Sequence, residues 1–325
     1  MRIVFFGTPE FALPALEKLI NTGKHTLVGV VTQPDKQKGR GNKLSPPPVK
    51  QLALQYNLPV WQPKRLRKDE ETLTKLKDSQ ADVFVVVAYG QILPPAVLKM
   101  PRLGCINVHA SLLPEYRGAA PIQWCLYDGK TETGVTTMLM DEGLDTGDIL
   151  LQASISISLL TTYPELSQKL ALMGADLLLE TLDKWERGEI TPIPQDNEKA
   201  TYAPVIRNED YLIDWHRPAL QIHNQIRAFS PDCYTTFRGQ TLKVSRSLPL
   251  TEDTPLPPPY QHLSSLSLPQ KKVGEVVKVL KNQGFIVQTG KDWLLILEVQ
   301  LAGKKLQPAA SFINGMRLQA GEVLQ

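Results

Sequence analysis

The chain has little that could staple it, anchor it or load it with metal. Only three of its 325 residues are cysteine, Cys105, Cys125 and Cys233, and they form no C-x-x-C pair. That spacing argues against a disulfide framework and a zinc site, and it fits a reducing cytosol. The five histidines are equally scattered, so no metal site is expected. No run of residues approaches the length of a membrane span. The apolar run in MRIVFFGTPE is too short for a signal-peptide core. The same segment offers a single glycine at the first strand end, so it is no dinucleotide fingerprint, and NAD is not expected. Charge is nearly balanced, at +3. A mild basic excess lies from Arg207 onward, where 14 Lys/Arg face 10 Asp/Glu. Such an excess could meet a polyanion or simply be a solvated surface. These features lead us to expect a soluble cytoplasmic protein.

What is present is a strong alternation in the first half. RIVFFG, HTLVGVVTQ, PVWQ, ADVFVVVAYG, GCINVHA and TGVTTMLM read as strands. Between them PALEKLI, PVKQLALQYN, ETLTKLKDSQ and APIQWCLYDG read as helices, and YPELSQKLALMGADLLLETLDKWERG as a long amphipathic one. This order predicts a doubly wound, mostly parallel α/β sheet over 1–189. A Pro-rich polar run, TPIPQDNEKATYAPVI, suggests a linker over 190–206. Over 207–325 one helix, PALQIHNQIRAF, is followed by short strands and turns that predict a small OB-like β-barrel. Within it LPLTEDTPLPPPYQHLSSLSLPQ reads as a flexible insertion.

The chemistry-bearing stretch is CINVHASLLPEYRGAAP. Strand side chains alternate faces, so Asn107 and His109 point one way while Ile106 and Val108 point the other. An Asn amide can hold a developing oxyanion, and a His can move a proton near neutral pH. Together they suit acyl transfer through a tetrahedral intermediate. The bland alternative is a strand-end polar pair satisfied by backbone. The acidic, Gly-rich DEGLDTGD follows the next strand and is expected at the same sheet edge, where Asp145 could orient His109. Its spacing is not that of an EF-hand, and a plain solvated loop is its other reading. Cys105 shares the parity of His109 and could be a nucleophile, but a free Cys in a buried strand is more often core. Ser111 lacks the Gly-x-Ser-x-Gly elbow. QPDKQKGRGNKL places Lys36, Lys38, Arg40 and Lys43 among glycines, as a mobile loop that could track a phosphate backbone or a merely solvated one.

Taken together, FFGTPEFA, TQPDKQKGRGNKL, ADVFVVVAYGQILP, GCINVHASLLPEYRGAAPIQW, TGVTTMLMDEGLDTGD, IDW, RAFSP, LAGKKLQP and FINGMRLQAGE resemble the methionyl-tRNA formyltransferase family across nearly the whole chain. The resemblance implies transfer of a formyl group from 10-formyltetrahydrofolate, as co-substrate and without metal, to the amino group of initiator methionyl-tRNA. It implies a catalytic trio of Asn107, His109 and Asp145. It implies folate contacts along Ser111, Leu112, Leu113 and Pro114, and tRNA contacts from Lys36, Lys38, Arg40 and Lys43. A monomer is expected. Glu115 stands where the family often has a basic residue, and RAFSPDCYTTF lacks the aromatic that many members carry after the proline. The runner-up is a related folate-dependent formyltransferase acting on a small amine, an amino sugar or a purine precursor. A formyl-folate hydrolase or dehydrogenase module and a non-enzymatic RNA-binding protein are weaker rivals.

Overall fold

The computed structural model describes residues 1–38 and 43–325. The chain divides into two compact units. The first comprises residues 1–121, 133–155 and 167–203. In chain order it carries β1 (Arg2–Gly7), α1 (Leu13–Thr22), β2 (Thr26–Val31), β3 (Lys36–Lys38), β4 (Lys43–Ser45), α2 (Pro48–Gln55), β5 (Val60–Trp61), α3 (Glu70–Asp78), β6 (Val83–Val87), α4 (Pro95–Leu98), β7 (Cys105–His109) and β8 (Arg117–Gly118). After α5 (Pro121–Tyr127), most of which groups with the second unit, come β9 (Glu132–Leu139), β10 (Ile149–Ser156), α6 (Tyr163–Glu186) and β11 (Tyr202–Ala203).

Seven strands form one sheet in the order β10-β9-β7-β6-β1-β2-β5. The chain steps outward from β1 through β2 to β5, then restarts on the other side with β6 and β7. All of these pairs are parallel. The strand order therefore reverses between β1 and β6, and open α/β sheets bind ligands beyond the carboxyl ends near such a point. The β1 run explains the burial. Ile3 and Phe5 enter a core closed by α1, α2 and α6, whereas Val4 and Phe6 enter a second core closed by α3 and α4. A strand covered on both faces reads as continuous apolar sequence. Gly174 lets α6 lie close over β7, since a Cβ there would come within 2.9 Å of the Val108 side chain.

The other edge departs from the parallel pattern. β9 runs antiparallel to β7, with His109 opposite Thr136 and Ile106 opposite Leu139. Only a short loop separates β9 from β10, and parallel neighbours would need a crossover of a dozen or more residues. β10, ILLQASIS, was not anticipated. As an edge strand it alternates buried and exposed residues instead of forming an apolar run.

The second unit comprises 122–132, 156–166 and 204–325. It contains α7 (Ala219–Ala228), β12 (Tyr234–Phe237), β13 (Gln240–Leu250), β14 (Val276–Leu280), β15 (Gly284–Gln288), β16 (Trp293–Leu301), β17 (Gln307–Pro308) and α8 (Ala309–Met316). The strands pair antiparallel in the order β12-β13-β16-β15-β14, and β17 pairs with β16. Among the described residues no two of these strands close the sheet into a barrel. The C-terminal tail bonds to both of its edges instead. Val276 N–H donates to Glu322 O at 2.7 Å, and Thr236 N–H donates to Gln325 O at 2.7 Å. The stretch read as a flexible insertion is packed: Leu256 and Leu263 are buried in one cluster with Leu248, Ile286 and Leu295. Its leucines, at 256, 263, 266 and 268, keep no single period, so periodicity gave no sign of this.

Candidate active site

The site grows from the parity of β7. Cys105 and Asn107 lie beside Phe84 and Val86 of β6, while Ile106 and Val108 point into the opposite core. Asn107 is 8% exposed. Among the described residues its side-chain amide has no hydrogen-bond partner. The amide is not among the fully buried side-chain atoms left without a partner, so it keeps some access to solvent and stands open to a ligand.

His109 is 6% exposed and half committed. Its Nε2 lies 2.9 Å from the Tyr116 carbonyl oxygen, which can only accept, so Nε2 carries a hydrogen. Tyr116 turns back over the ring through a left-handed backbone (φ 59). Nδ1 faces Asp145, with Oδ2 at 3.7 Å. Asp145 is also left-handed (φ 53), a conformation that Asp tolerates better than most residues. Its Oδ2 accepts the backbone N–H of Gly118 at 2.8 Å. The trio expected from the sequence is thus gathered in one place.

The route by which Asp145 arrives differs from the expected one. Because β9 is antiparallel, its C-terminal end pairs beside Ile106 and not beside His109. The acidic loop must therefore fold back to bring Asp145 to His109. Asp141 shapes the start of this loop by accepting from Gly143 N–H at 3.0 Å and Thr146 Oγ1 at 2.7 Å.

Other candidates occupy varied environments. Cys105 is buried against Val97 and Leu98, and burial pushes its thiol pKa up to about 12, which leaves almost no thiolate at neutral pH. Ser111 is fully buried, and its Oγ donates to Glu115 O at 2.6 Å. Leu113 is buried with Met138 and Ile149, whereas Leu112 and Pro114 remain partly exposed. The basic run read as a loop is, in its described part, a hairpin in which Lys36 pairs with Ser45 and Gln37 with Leu44. Arg40 lies outside the described residues. The second unit holds a cavity of about 400 Å³, lined by His223, Arg227, Ser245, Arg246, Tyr260 and Glu298 among others. None of the trio lines it.

Sequence reasoning missed the supports. Tyr202 and Ala203 pair with Arg117 and Gly118, and Tyr116 N–H donates to Thr201 Oγ1 at 2.8 Å. Gly118 (φ +122) suits this pairing, because a Cβ there would meet Ala203 O at 2.6 Å. Gln195 Nε2 donates to the carbonyl oxygens of Asp145 and Gly147. A Pro-rich polar run carries no periodic signal for such bonds.

Comparisons with known proteins identify the family of the chain. The family profile described as "Formyl transferase" matches residues 1–182, and "Formyl transferase, C-terminal domain" matches 205–317. A methionyl-tRNA formyltransferase of Trichormus variabilis is 57% identical over 330 residues, covering 100% of this chain and 99% of that protein. One from Trichodesmium erythraeum is 58% identical over 329 residues, covering 99% and 98%. A solved N-formyltransferase from Helicobacter canadensis, in complex with folinic acid and dTDP-3-aminofucose, superposes with a TM-score of 0.63 at 18% identity, over 90% of this chain and 98% of that one. The last likeness concerns the fold, whereas the first two extend along the entire sequence: the chain belongs to the formyl transferase family, among the methionyl-tRNA formyltransferases.

Proposed function

We propose that the carboxyl edge of β7 is where the formyl group moves, and that Asn107, His109 and Asp145 move it. The protein transfers the formyl group of 10-formyltetrahydrofolate to the amino group of methionine on initiator tRNA. Identity above half with methionyl-tRNA formyltransferases over the full length supports that reaction. The observation that carries the site is an uncommitted Asn107 amide on the same strand face as a buried histidine whose one nitrogen is turned toward a carboxylate.

The amine attacks the formyl carbon, a C–N bond forms, and the bond from that carbon to N10 of the folate breaks. The amine loses one proton and N10 gains one. Asn107 Nδ2 donates to the formyl oxygen as it gains charge, an interaction worth most in a water-poor site. His109 Nε2 is tied to Tyr116, so Nδ1 and Asp145 are left to handle the proton. No covalent enzyme intermediate is needed, which matches a core role for Cys105.

Leu112 and Pro114 serve the folate through their partly exposed side chains, and Ser111 and Leu113 shape that turn from beneath. The basic segment that holds Lys36, Lys38, Arg40 and Lys43 follows β2 in the chain, and it meets the tRNA acceptor end. Residues 1–189 act as the catalytic domain, 190–206 connect it, and 207–325 bind tRNA. The C-terminal sheet works as a small OB-like barrel, a reading supported by the tail that bonds to both of its edges. The enzyme acts as a cytoplasmic monomer. A formyl-transfer assay that offers methionyl-tRNA and a nucleotide-linked amino sugar side by side tests the substrate. Formylation of the tRNA alone is expected, and formylation of the sugar alone would favour the small-amine reading.

A further inference from the structure

Asp145 is held mostly through its backbone, and the holding residue comes from far along the chain. Gln195 Nε2 donates to two carbonyl oxygens, Asp145 O at 2.8 Å and Gly147 O at 2.7 Å. Its Oε1 accepts from Arg117 Nε at 3.0 Å and Nη2 at 2.8 Å. Arg117 is 2% exposed, and its Nη2 also donates to Asn197 Oδ1 at 2.9 Å. Among the described residues no carboxylate pairs with this buried guanidinium. Arg117 immediately precedes Gly118, whose N–H the Asp145 carboxylate accepts. One amide therefore ties the backbone at Asp145 to the residue preceding its hydrogen-bond donor.

We propose that Gln195 is a positioning residue: it sets where the Asp145 carboxylate stands relative to His109. The proposal rests on Asp145 being catalytic. The two ends of the Gln195 amide have different duties, and that makes the role separable from simple stability. Its oxygen satisfies Arg117, while its NH₂ group holds the loop. A carboxylate in its place would still accept from Arg117, now as an ion pair, but would have no hydrogen for the two carbonyls.

The test is steady-state kinetics and thermal melting of Gln195→Glu, Gln195→Leu, Asp145→Asn and the double variant Gln195→Glu/Asp145→Asn. For Gln195→Glu we expect kcat to fall on the order of 10- to 100-fold, as for a displaced reacting group. KM for methionyl-tRNA and for 10-formyltetrahydrofolate should stay within about twofold, and Tm should fall less than in Gln195→Leu, since Arg117 keeps an acceptor while the two carbonyls lose their donor. In the Asp145→Asn background the same change should add nothing, because positioning has no object once the carboxylate is gone. Gln195→Leu should lose both kcat and Tm. Full kcat in Gln195→Glu, alongside an inactive Asp145→Asn, would overturn the positioning role and leave the site reading intact. The same holds if the two losses multiply. An active Asp145→Asn would overturn both.

Discussion

His109 and His223 are buried, one in each unit, and they are partnered in opposite ways. His109 ends a strand, with one nitrogen on the Tyr116 carbonyl and the other turned to a carboxylate 3.7 Å away. His223 sits within α7, with Nε2 2.8 Å from Leu159 O and Nδ1 3.0 Å from Ser247 Oγ. Burial pushes the pKa of His223 down to about 4, so it is neutral at physiological pH. One ring is half free beside an acid, and the other is locked between neutral groups. Burial alone thus says little about function; what matters is whether a nitrogen is left uncommitted and what it faces. The same contrast applies to amides. Asn107 makes no hydrogen bond among the described residues, whereas Gln225 donates to both Asp210 O and Leu212 O at 2.8 Å, although its own Oε1 is buried without a partner.

The comparison can be broken most sharply at the histidines themselves. His109→Ala should lower turnover by about 10²–10⁴-fold, as expected for a general acid–base group. Its stability should fall too, because a buried ring is lost and Tyr116 O loses its partner, so turnover is compared per folded molecule. His223→Ala should lose stability alone: turnover per folded molecule should hold. Stability should fall by about 2–4 kcal/mol, because a cavity opens and Leu159 O and Ser247 Oγ lose their partner. Denaturant titration and initial rates on the same two variants check the pair. Equal losses of activity from both would dissolve the distinction.

A pH series sharpens it further. The folded pKa of His223, about 4, lies below its ordinary value of 6.5, so the unfolded chain takes up this proton first as pH falls. Its contribution is therefore fully present above pH 6.5 and is lost between 6.5 and about 4, to a total of about 3 kcal/mol. Carboxylates whose pKa is lowered in the fold, such as Asp82 beside the Arg2 backbone N–H, add losses of their own near the bottom of that window. Denaturant titration of His223→Gln, which does not titrate, isolates the histidine: its stability should be flatter than the wild type's from pH 6.5 to 5. The smallest effect belongs to Cys105→Ala, expected to cost about 1 kcal/mol of stability and to leave kcat unchanged. An inactive but folded Cys105→Ala enzyme would restore a thiol intermediate.

Much of the first unit was legible because its strands are covered on both faces and its helices keep their period. RIVFFG and ADVFVVVAYG could hardly be anything but central strands. The shared parity of Asn107 and His109 followed from the two-residue repeat alone. What the sequence did not display was direction and distance. Nothing local distinguishes an antiparallel β9 from a parallel one, so Asp145 was placed beside His109 by an argument the sheet does not support. ILLQASIS, half exposed at an edge, lacks the apolar run that marked its neighbours. Gln195 makes its contacts across 48 or more residues of chain, from a segment whose prolines suggest only an irregular path. The leucines of 251–270 pack by shape and not by period. Arg40, central to the tRNA expectation, lies outside the described residues, although the flanking Lys36 and Lys38 belong to a paired strand.

The central claim is that the uncommitted Asn107 amide on β7 serves the transferring formyl group, and single-turnover formylation measures this directly. Enzyme in excess over methionyl-tRNA, with 10-formyltetrahydrofolate saturating, reports the chemical step without product release. Asn107→Ala should slow that step by about 10²–10³-fold, the usual loss for one oxyanion donor, while the folate Kd stays close to that of the wild type. A single-turnover rate equal to the wild type's would show that Asn107 is only a buried polar residue, and the site would have to be sought elsewhere.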